Sequence, residues 1–266
     1  MESTNHQPTL SIVLIIKDES DNIEDCLKTA DFADEIIIVD AGSQDNSIEL
    51  TRKFTNKIFI EDDWQGYGVQ RQRAQGYASG DWILMLDADE RITPELRRSI
   101  MEAVANNDQQ SVFDVARLSY CFGRFIRHSG WYPDHVTRLY PRLKASYNAS
   151  TVHEKLAYAE DRFHRKQLNG DLIHYTYRDM NHYLVKSAHY AEAWSRQRYS
   201  NGKRATLPQG ALHAIGCFVK MYLLRAGFLD GRQGLLLALL SSHSTFVKYA
   251  DLWVRSQPQG RPDEDP

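Results

Sequence analysis

The sequence predicts an α/β fold with a mostly parallel central sheet, followed by a C-terminal helical region. Over the first 90 residues, short apolar runs rich in β-branched residues alternate with helix-like segments, and polar residues cluster where the runs end. The chain has 266 residues, of which 42% are hydrophobic and 25% are charged, so it is able to build a sizeable core. Disordered and low-complexity classes are therefore excluded.

Four apolar runs are the predicted parallel strands: residues 10–16, 34–40, 57–60 and 82–86. The intervals between them carry predicted helices at about 23–31, 46–54 and 67–78. Strands that alternate with helices in this way join through right-handed crossovers into a parallel sheet. Because such sheets bind ligands beyond the carboxyl ends of their strands, the residues that follow each run are the first candidates for chemistry.

The remainder of the chain is predicted from turn and capping signals. Thr93-Pro94-Glu95 indicates a helix that begins there and ends near Asn106. Later strands are expected at 113–119, 136–140 and 171–174, with a long loop at 123–134. The pattern then becomes helical, at 181–200, 209–226 and 232–254. We expect an α/β domain at 8–178, a helical region at 179–255 and a disordered tail at 256–266.

Charge is distributed unevenly along the chain. The net charge of −3 argues against a dedicated nucleic-acid-binding protein. Residues 180–256, however, carry ten Lys or Arg and three Asp or Glu, a net charge of +7. A basic, Leu-rich and aromatic-rich region is a candidate for contact with an anionic membrane surface, and the alternative is a helical subdomain that packs on the sheet or forms a dimer. No apolar run approaches the roughly 18 residues of a membrane span.

Cysteine usage and the N-terminal residues bear on the compartment. The three cysteines, Cys26, Cys121 and Cys217, are widely spaced and form no C-x-x-C pattern, which favours a reducing cytoplasm over a disulfide framework. Residues 1–9 lack a cationic segment followed by an apolar one, so no secretory signal is expected.

Two aspartates follow the fourth run directly, in Asp87-Ala88-Asp89. Packing explains such a pair poorly, because buried unpaired carboxylates are costly and repel each other. A divalent cation removes both problems, and Mg²⁺ or Mn²⁺ usually binds one or two carboxylates together with substrate phosphates. The alternative is a solvated turn whose aspartates cap the next helix; the position after a fourth buried strand favours the metal site.

Charged residues also follow the first two runs. Asp40 ends the second run, where a carboxylate is able to accept hydrogen bonds from a nucleoside base or ribose. Asp45, in the following turn, is better explained as a cap of the next helix. Lys17 and Glu19 follow the first run and belong either to the same binding edge or to an ordinary exposed pair.

Three motifs of the first half resemble those of family 2 glycosyltransferases of the GT-A fold: Ile15-Ile-Lys-Asp-Glu19, Ile38-Val-Asp-Ala-Gly-Ser-Gln-Asp45 and Gly80-Asp-Trp-Ile-Leu-Met-Leu-Asp-Ala-Asp-Glu90. Later motifs are similar to those of bacterial lipopolysaccharide-core and polysaccharide glucosyltransferases: Gly130-Trp-Tyr-Pro-Asp134, Arg138-Leu-Tyr-Pro-Arg142, Val152-His-Glu-Lys155, Ile173-His-Tyr-Thr-Tyr177 and the segment from Tyr222 to Leu235. The resemblance covers about residues 8–255. It implies a Rossmann-like sandwich with a nucleotide-sugar half at about 8–90 and an acceptor half at about 91–178.

The resemblance also implies roles for individual residues. The expected nucleotide-sugar contacts are Lys17, Glu19, Asp40, Gln72, Asp87 and Arg138. Asp89 is the expected ligand of a Mg²⁺ or Mn²⁺ ion that neutralises charge on the departing UDP. His174 is a candidate third metal ligand or diphosphate contact, and its alternative is a structural hydrogen bond. For Arg138 the alternative is an ion pair within the fold, and Gln72 stands where close relatives tend to have Asn.

An inverting transfer needs a general base that takes the proton of the acceptor hydroxyl. Asp134 and Glu154 are the two candidates, and Glu154 is favoured because an acidic residue after the acceptor-side strand commonly fills this role in family 2 enzymes. The alternatives are a loop cap for Asp134 and a salt bridge to an arginine for Glu154.

The implied function is a metal-dependent, inverting transfer of a hexose, glucose from UDP-glucose, to a heptose of the lipopolysaccharide inner core. One alternative is another nucleotide sugar with a capsular, exopolysaccharide or polyprenyl-linked acceptor. Another, from a different class, is a non-catalytic nucleotide-binding adaptor on the same scaffold. The expected partners are a nucleotide sugar and a lipid-linked saccharide, without nucleic acid, and the expected location is the cytoplasm, peripheral on the cytoplasmic face of the inner membrane.

Overall fold

The structure, a computed structural model, describes residues 6–149 and 154–257. The chain divides into two compact units, of which the first consists of Met1–Leu118 and Pro133–Tyr175. The second consists of Ser119–Tyr132 and Thr176–Pro266. The predicted disordered tail at 256–266 lies outside the described residues from position 258 onward.

Strands and helices alternate through the first half of the chain, as the sequence predicts. Over the described residues the strands are β1 (Leu10–Ile16), β2 (Glu35–Asp40), β3 (Ile58–Ile60), β4 (Trp82–Leu86), β5 (Glu90–Ile92), β6 (Ser111–Cys121), β7 (Arg124–Phe125), β8 (Asp134–Pro141), β9 (Ser146–Tyr147), β10 (Leu156–Ala157) and β11 (His164–Tyr177). The α-helices are α1 (Ile23–Lys28), α2 (Ser47–Thr51), α3 (Tyr67–Tyr77), α4 (Pro94–Asn106), α5 (Met180–Ser200), α6 (Leu207–Phe218) and α7 (Gly231–Arg255).

The first unit is built on one sheet with the strand order β3-β2-β1-β4-β8-β6-β11-β5. Strands β3, β2, β1 and β4 run parallel. Beyond them, β8 pairs antiparallel with both β4 and β6, and β5 pairs antiparallel with β11. The predicted α/β class is confirmed, and its parallel part consists of the four strands that the sequence identifies.

Strands β1, β2 and β4 are buried on both faces, which explains their apolar runs, whereas β3 lies at the sheet edge with Ile60 exposed. Ile12 and Leu14 of β1 belong to a core that also contains Leu27 of α1 and Leu96 of α4. Val13, between them, belongs to the core on the opposite face of the sheet. Each fully buried aliphatic side chain contributes roughly 1.5–3 kcal/mol, so the two cores hold these strands firmly.

The antiparallel part of the sheet departs further from the sequence-based expectation. Strand β11 extends from His164 to Tyr177, well beyond the expected 171–174. The sequence does not indicate this length because the first four residues of the strand are exposed and show no apolar alternation. Asp134, expected in the long loop, is the first residue of β8, where it lies opposite Arg117 of β6. That pairing is long-range and leaves no local signal.

The second unit contains the C-terminal helices and Ser119–Tyr132. A π-helix, Val219–Leu224, continues α6, and a 3-10 turn, Gly227–Asp230, precedes α7. Cys121 and Ile126 form a small core with Leu237 of α7, which explains why the 119–132 segment groups with the helices.

Among the helices in residues 6–149 and 154–257, none is by itself long and apolar enough to cross a bilayer. Leu207–Leu224 and Gly227–Arg255 meet the length and composition criteria only as a pair, and the two are bent by 73°.

Glu35 links β2 to the neighbouring strands at their amino ends. Its carboxylate accepts hydrogen bonds from the Ser11 hydroxyl and from the backbone N–H groups of Ser79 and Gly80, and it pairs with Lys57. Burial opposes ionisation, but these partners lower the pKa of Glu35 from 4.5 to about 2.

We expect Glu35→Gln to lower the free energy of unfolding by about 2 kcal/mol at pH 7. A carboxyl group with a depressed pKa stabilises the fold above its unfolded pKa and loses that contribution as the pH falls. The difference between wild type and variant should therefore narrow from pH 4.5 towards pH 2. Urea unfolding at pH 7 and pH 3 measures it, with the exposed Glu49→Gln as control; equal losses at both pH values would contradict the assignment.

Candidate active site

The carboxyl ends of β1, β2 and β4 lie at one edge of the sheet. The register pairs Ile16 with Asp40 and Leu14 with Leu86, so the residues after β1 and β4 reach the same edge as the end of β2. The Asp87-Ala88-Asp89 motif begins directly after β4. This is the edge at which open α/β sheets bind ligands.

Asp87 lies between two buried arginines. Arg71 Nη2 of α3 is 2.8 Å from Asp87 Oδ1, and Arg138 Nη2 of β8 binds Asp87 Oδ2. Burial opposes the charged carboxylate, but Arg138 and Arg71 outweigh it and hold the pKa of Asp87 well below its ordinary value. Asp87 is therefore ionised at neutral pH.

Glu90 extends this network into the interior. Its Oε1 lies 2.6 Å from Arg138 Nη2, and its Oε2 accepts a hydrogen bond of 3.0 Å from the Asp87 backbone N–H. Burial raises the pKa of Glu90 above its ordinary value, although Arg138 opposes the shift. Arg138 thus forms the ion pair within the fold that the sequence leaves open as its alternative role.

A cavity of about 600 Å³ lies beside this network. Arg71, Asp87 and Arg138 form part of its wall, and Glu154 lies on the wall as well. Glu154 Oε1 is 3.1 Å from Arg71 Nε, so a single guanidinium joins Glu154 to Asp87. Asp134 is not among the residues of the wall; it pairs with Arg117, and 45% of its side chain is exposed, against 17% for Glu154.

The pairing of β5 with β11 brings Asp89 and His174 together. It sets His174 opposite Glu90, so that Asp89 Oδ2 lies 3.3 Å from His174 Nε2. The carboxylate is of the ligand type that Mg²⁺ and Mn²⁺ prefer, whereas the imidazole is a less usual ligand for either, and phosphate and water would supply the other ligands. Across residues 6–149 and 154–257, no group of three or more His, Cys, Asp or Glu is arranged to hold a metal without such help.

Asp40 and Gln72 make contacts within the protein. Asp40 is fully buried, and its Oδ2 accepts hydrogen bonds from the backbone N–H groups of Gly42 at 2.9 Å and Ser43 at 2.8 Å. Gln72 Nε2 donates to the backbone oxygen of Tyr147 at 2.6 Å. Asp40 therefore shapes the turn after β2, and Gln72 fastens α3 to β9.

Lys17 and Glu19 line a smaller cavity of about 390 Å³ at the carboxyl end of β1. Trp64 and Tyr67 are its aromatic lining residues, with ring centroids 4.9 Å apart. A further cavity of about 600 Å³ is lined by Leu10, at the amino end of β1. Parallel sheets bind ligands at the opposite edge, beyond the carboxyl ends of their strands.

A family model described as "Glycosyl transferase family 2" matches residues 11–163. The chain belongs to glycosyltransferase family 2. The match covers the acidic motif and the Arg71–Asp87 pair and ends before His174. The protein is therefore a glycosyltransferase, as the resemblance implies.

Two known proteins similar to this glycosyltransferase match it over most of their length. The lipopolysaccharide core biosynthesis glycosyltransferase LpsC of Rhizobium meliloti (strain 1021) is 27% identical, over 96% of both chains. An uncharacterized glycosyltransferase of Rickettsia prowazekii (strain Madrid E) is 26% identical, over 93% of this chain and 89% of its own. LpsC is thus a relative named for lipopolysaccharide core biosynthesis, whereas the Rickettsia relative is named for glycosyl transfer alone.

A solved structure confirms the fold. The mannosyltransferase PcManGT from Pyrobaculum calidifontis superposes with a TM-score of 0.55 at 12% identity, over 95% of this chain and 89% of that chain. The glycosyltransferase therefore has the expected GT-A-like sheet followed by a helical region.

Arg71 is the functional candidate that the sequence alone does not single out. It belongs to the buried side of α3 with Gly68 and Ala74, three residues to either side, so an arginine amid small buried residues is the signal that was available. Trp64 and Tyr67 carry a weaker signal, as aromatic residues beside Gly66 in the loop after β3.

Replacing Arg71 with Ala should lower the free energy of unfolding of the glycosyltransferase by about 3–5 kcal/mol, because it breaks two buried ion pairs. Arg73→Ala, two residues along the same helix, removes a surface pair with Asp63 and should cost less than about 1 kcal/mol. Urea unfolding of both variants checks this. Equal losses in the two variants would show that the buried pairs add nothing.

Proposed function

We propose that this glycosyltransferase transfers glucose from UDP-glucose to a heptose of the lipopolysaccharide inner core, with inversion and with Mg²⁺ or Mn²⁺. The observation that carries the proposal is that Glu154 and Asp87 face one cavity and share Arg71. The acceptor class is supported by the similarity to LpsC, which extends over 96% of both chains.

The proposed donor side uses Lys17, Glu19, Asp40, Gln72, Asp87 and Arg138. The small cavity beside Lys17 and Glu19 is lined by the aromatic side chains of Trp64 and Tyr67, a residue type suited to a flat base. Asp87 and Arg138 neutralise each other in an ion pair. We propose that this fixed pair forms the wall of the donor site at the ribose side. Asp40 acts through the turn that it stabilises.

The proposed metal ligands are Asp89 and His174, 3.3 Å apart. The cation supplies charge stabilisation for the departing diphosphate. Support comes from the mannosyltransferase of the same fold, whose structure contains GDP-Man and Mn²⁺. A site with only two ligands from the protein suits an ion that arrives with its nucleotide.

Glu154 is the proposed general base. Arg71 holds Glu154 Oε1, and no described residue binds Oε2, which is thereby able to take a proton from an acceptor hydroxyl in the cavity. Because Arg71 is also fixed by Asp87, the carboxylate has a set direction before any substrate binds. Asp134 is bound by Arg117 and is assigned a structural role.

The proposed location is the cytoplasm, with peripheral contact on the cytoplasmic face of the inner membrane. A lipid-linked acceptor requires the enzyme to work at a membrane surface, and the +7 charge of residues 180–256 suits anionic lipids.

The decisive experiment is UDP release from a panel of nucleotide sugars, with deacylated lipopolysaccharide core as the soluble acceptor. We expect acceptor-dependent release from UDP-glucose that is lost in chelator and restored by Mg²⁺ or Mn²⁺. Release from another nucleotide sugar would move the proposal to that donor. Binding of UDP without any turnover would favour the non-catalytic adaptor instead.

The metal assignment predicts the behaviour of two variants in the same assay. Asp89→Asn and His174→Gln should each lower kcat/KM by at least about 100-fold, because charge stabilisation of this kind typically contributes that much. Asp161→Asn, a control whose side chain is 79% exposed, should retain wild-type activity. Full activity of Asp89→Asn over a titration of Mn²⁺ would remove Asp89 from the metal site.

The base assignment predicts a loss in kcat without a loss of donor binding. Glu154→Gln should keep the hydrogen bond to Arg71 and lower kcat by about 10²–10⁴-fold. Asp134→Asn should lower it less than about tenfold, because a surface pair contributes little. Single-turnover kinetics together with calorimetry of UDP-glucose binding separate the two effects, and the reverse order of losses would assign the base to Asp134.

A further inference from the structure

We propose that the bend between α6 and α7 inserts into an anionic lipid bilayer and docks the second unit there. This inference deepens the peripheral membrane contact of the proposed function and rests on it. The bend surface, as we name it, consists of Leu212, Ile215, Val219, Leu223, Leu224, Phe228 and Leu229. All seven residues belong to the second unit.

The bend surface is apolar and strongly exposed. The exposed fraction is 77% for Leu224, 71% for Leu212 and 61% for Ile215, and the other four members are exposed as well. Soluble monomers rarely present a continuous apolar patch of this size, and such patches mark binding sites for proteins or membranes.

The spacing of these residues makes the surface continuous. Leu212, Ile215, Val219 and Leu223 follow one another at intervals of three or four, so they share one side of α6 and of the π-helix that continues it. Leu224, Phe228 and Leu229 follow at the break itself. The two helices are bent by 73° at this break.

Close packing and hydrogen bonds hold the bend in shape. A Cβ on Gly227 would lie 2.7 Å from the Met221 backbone oxygen, and one on Gly234 would lie 1.9 Å from the Gly227 backbone oxygen, so both positions require glycine. Asp230, almost completely buried, accepts hydrogen bonds from the backbone N–H groups of Arg127 and His128. The apolar side chains are thus presented by a fixed scaffold.

The charges around the bend surface select its partner. Lys220, Arg225 and Arg232 are exposed there, whereas Asp230, the one acidic residue between positions 219 and 232, is buried and occupied. Apolar side chains ringed by cations suit a bilayer with anionic headgroups. A second copy would bring the same positive charges into contact, which disfavours a dimer through this surface.

Flotation of the full chain with lipid vesicles tests the proposal, and it needs no sugar donor. We expect binding to vesicles of phosphatidylcholine with 30% phosphatidylglycerol, and weak binding to phosphatidylcholine alone. The double variant Leu224→Asp/Phe228→Asp should reduce binding by at least about tenfold, because both side chains are exposed and would otherwise be buried among acyl chains. Leu143→Asp, at an 83% exposed leucine of the first unit, is the matched control and should bind as wild type does.

Charge variants test the second half of the argument. Lys220→Gln and Arg232→Gln should each weaken binding to the anionic vesicles about fivefold, corresponding to about 1 kcal/mol per cation at the surface. Equal binding to both lipid compositions, or unchanged flotation of the double variant, would overturn the proposal. So would an assembly of the wild type in sedimentation that the double variant abolishes, because the surface would then bind a second copy.

Activity on the deacylated, soluble acceptor separates this proposal from the proposed function. The double variant should release UDP at the wild-type rate there and lose activity only with acceptor embedded in anionic vesicles. A wild type that floats with anionic vesicles but turns over no nucleotide sugar would overturn the function and leave the membrane surface standing.

Discussion

The buried ion network of Arg71, Asp87, Glu90 and Arg138 is the constraint on which the rest of the first unit depends. Removing Arg138 takes the short ion pair away from the fully buried Glu90, at a cost of several kcal/mol. The network therefore demands that α3, β4, β5 and β8 meet in one arrangement. Because Glu154 binds the same Arg71, the direction of the proposed base is determined by the interior of the protein rather than by its own loop.

The parallel half of the sheet is readable from sequence because three of its strands, β1, β2 and β4, are buried on both faces. Strands β1 and β4 coincide with the predicted runs, since Ser11 of β1 is the one polar residue in either strand. Strand β11 is different: its outer residues face solvent, so neither apolar periodicity nor a turn residue marks where it begins. Short-range sequence patterns thus identify strands that are covered on both faces of the sheet. They miss exposed strand segments that are held by pairing with a neighbouring strand.

The sequence predicts where the site residues lie more readily than it predicts which residues they contact. Strand ends predicted where Asp40, Asp87 and Asp89 lie, because a parallel sheet collects them at one edge. Their partners come from distant parts of the chain, as with Arg71 of α3 and Arg138 of β8, and spacing does not reveal them. Asp134 and Glu154 were both candidates for the base, with Glu154 favoured through the family resemblance, and of the two only Glu154 lies on the cavity wall.

The pairing of β5 with β11 has a consequence for synthesis of the chain. Glu90 and its neighbour Asp89 leave the ribosome long before His174, their partner across the ladder. Because synthesis adds roughly 5–20 residues per second, His174 is made several seconds after Asp89. An unfinished chain therefore lacks the contact between Asp89 and His174, and the proposed two-ligand site is complete only once β11 has been added.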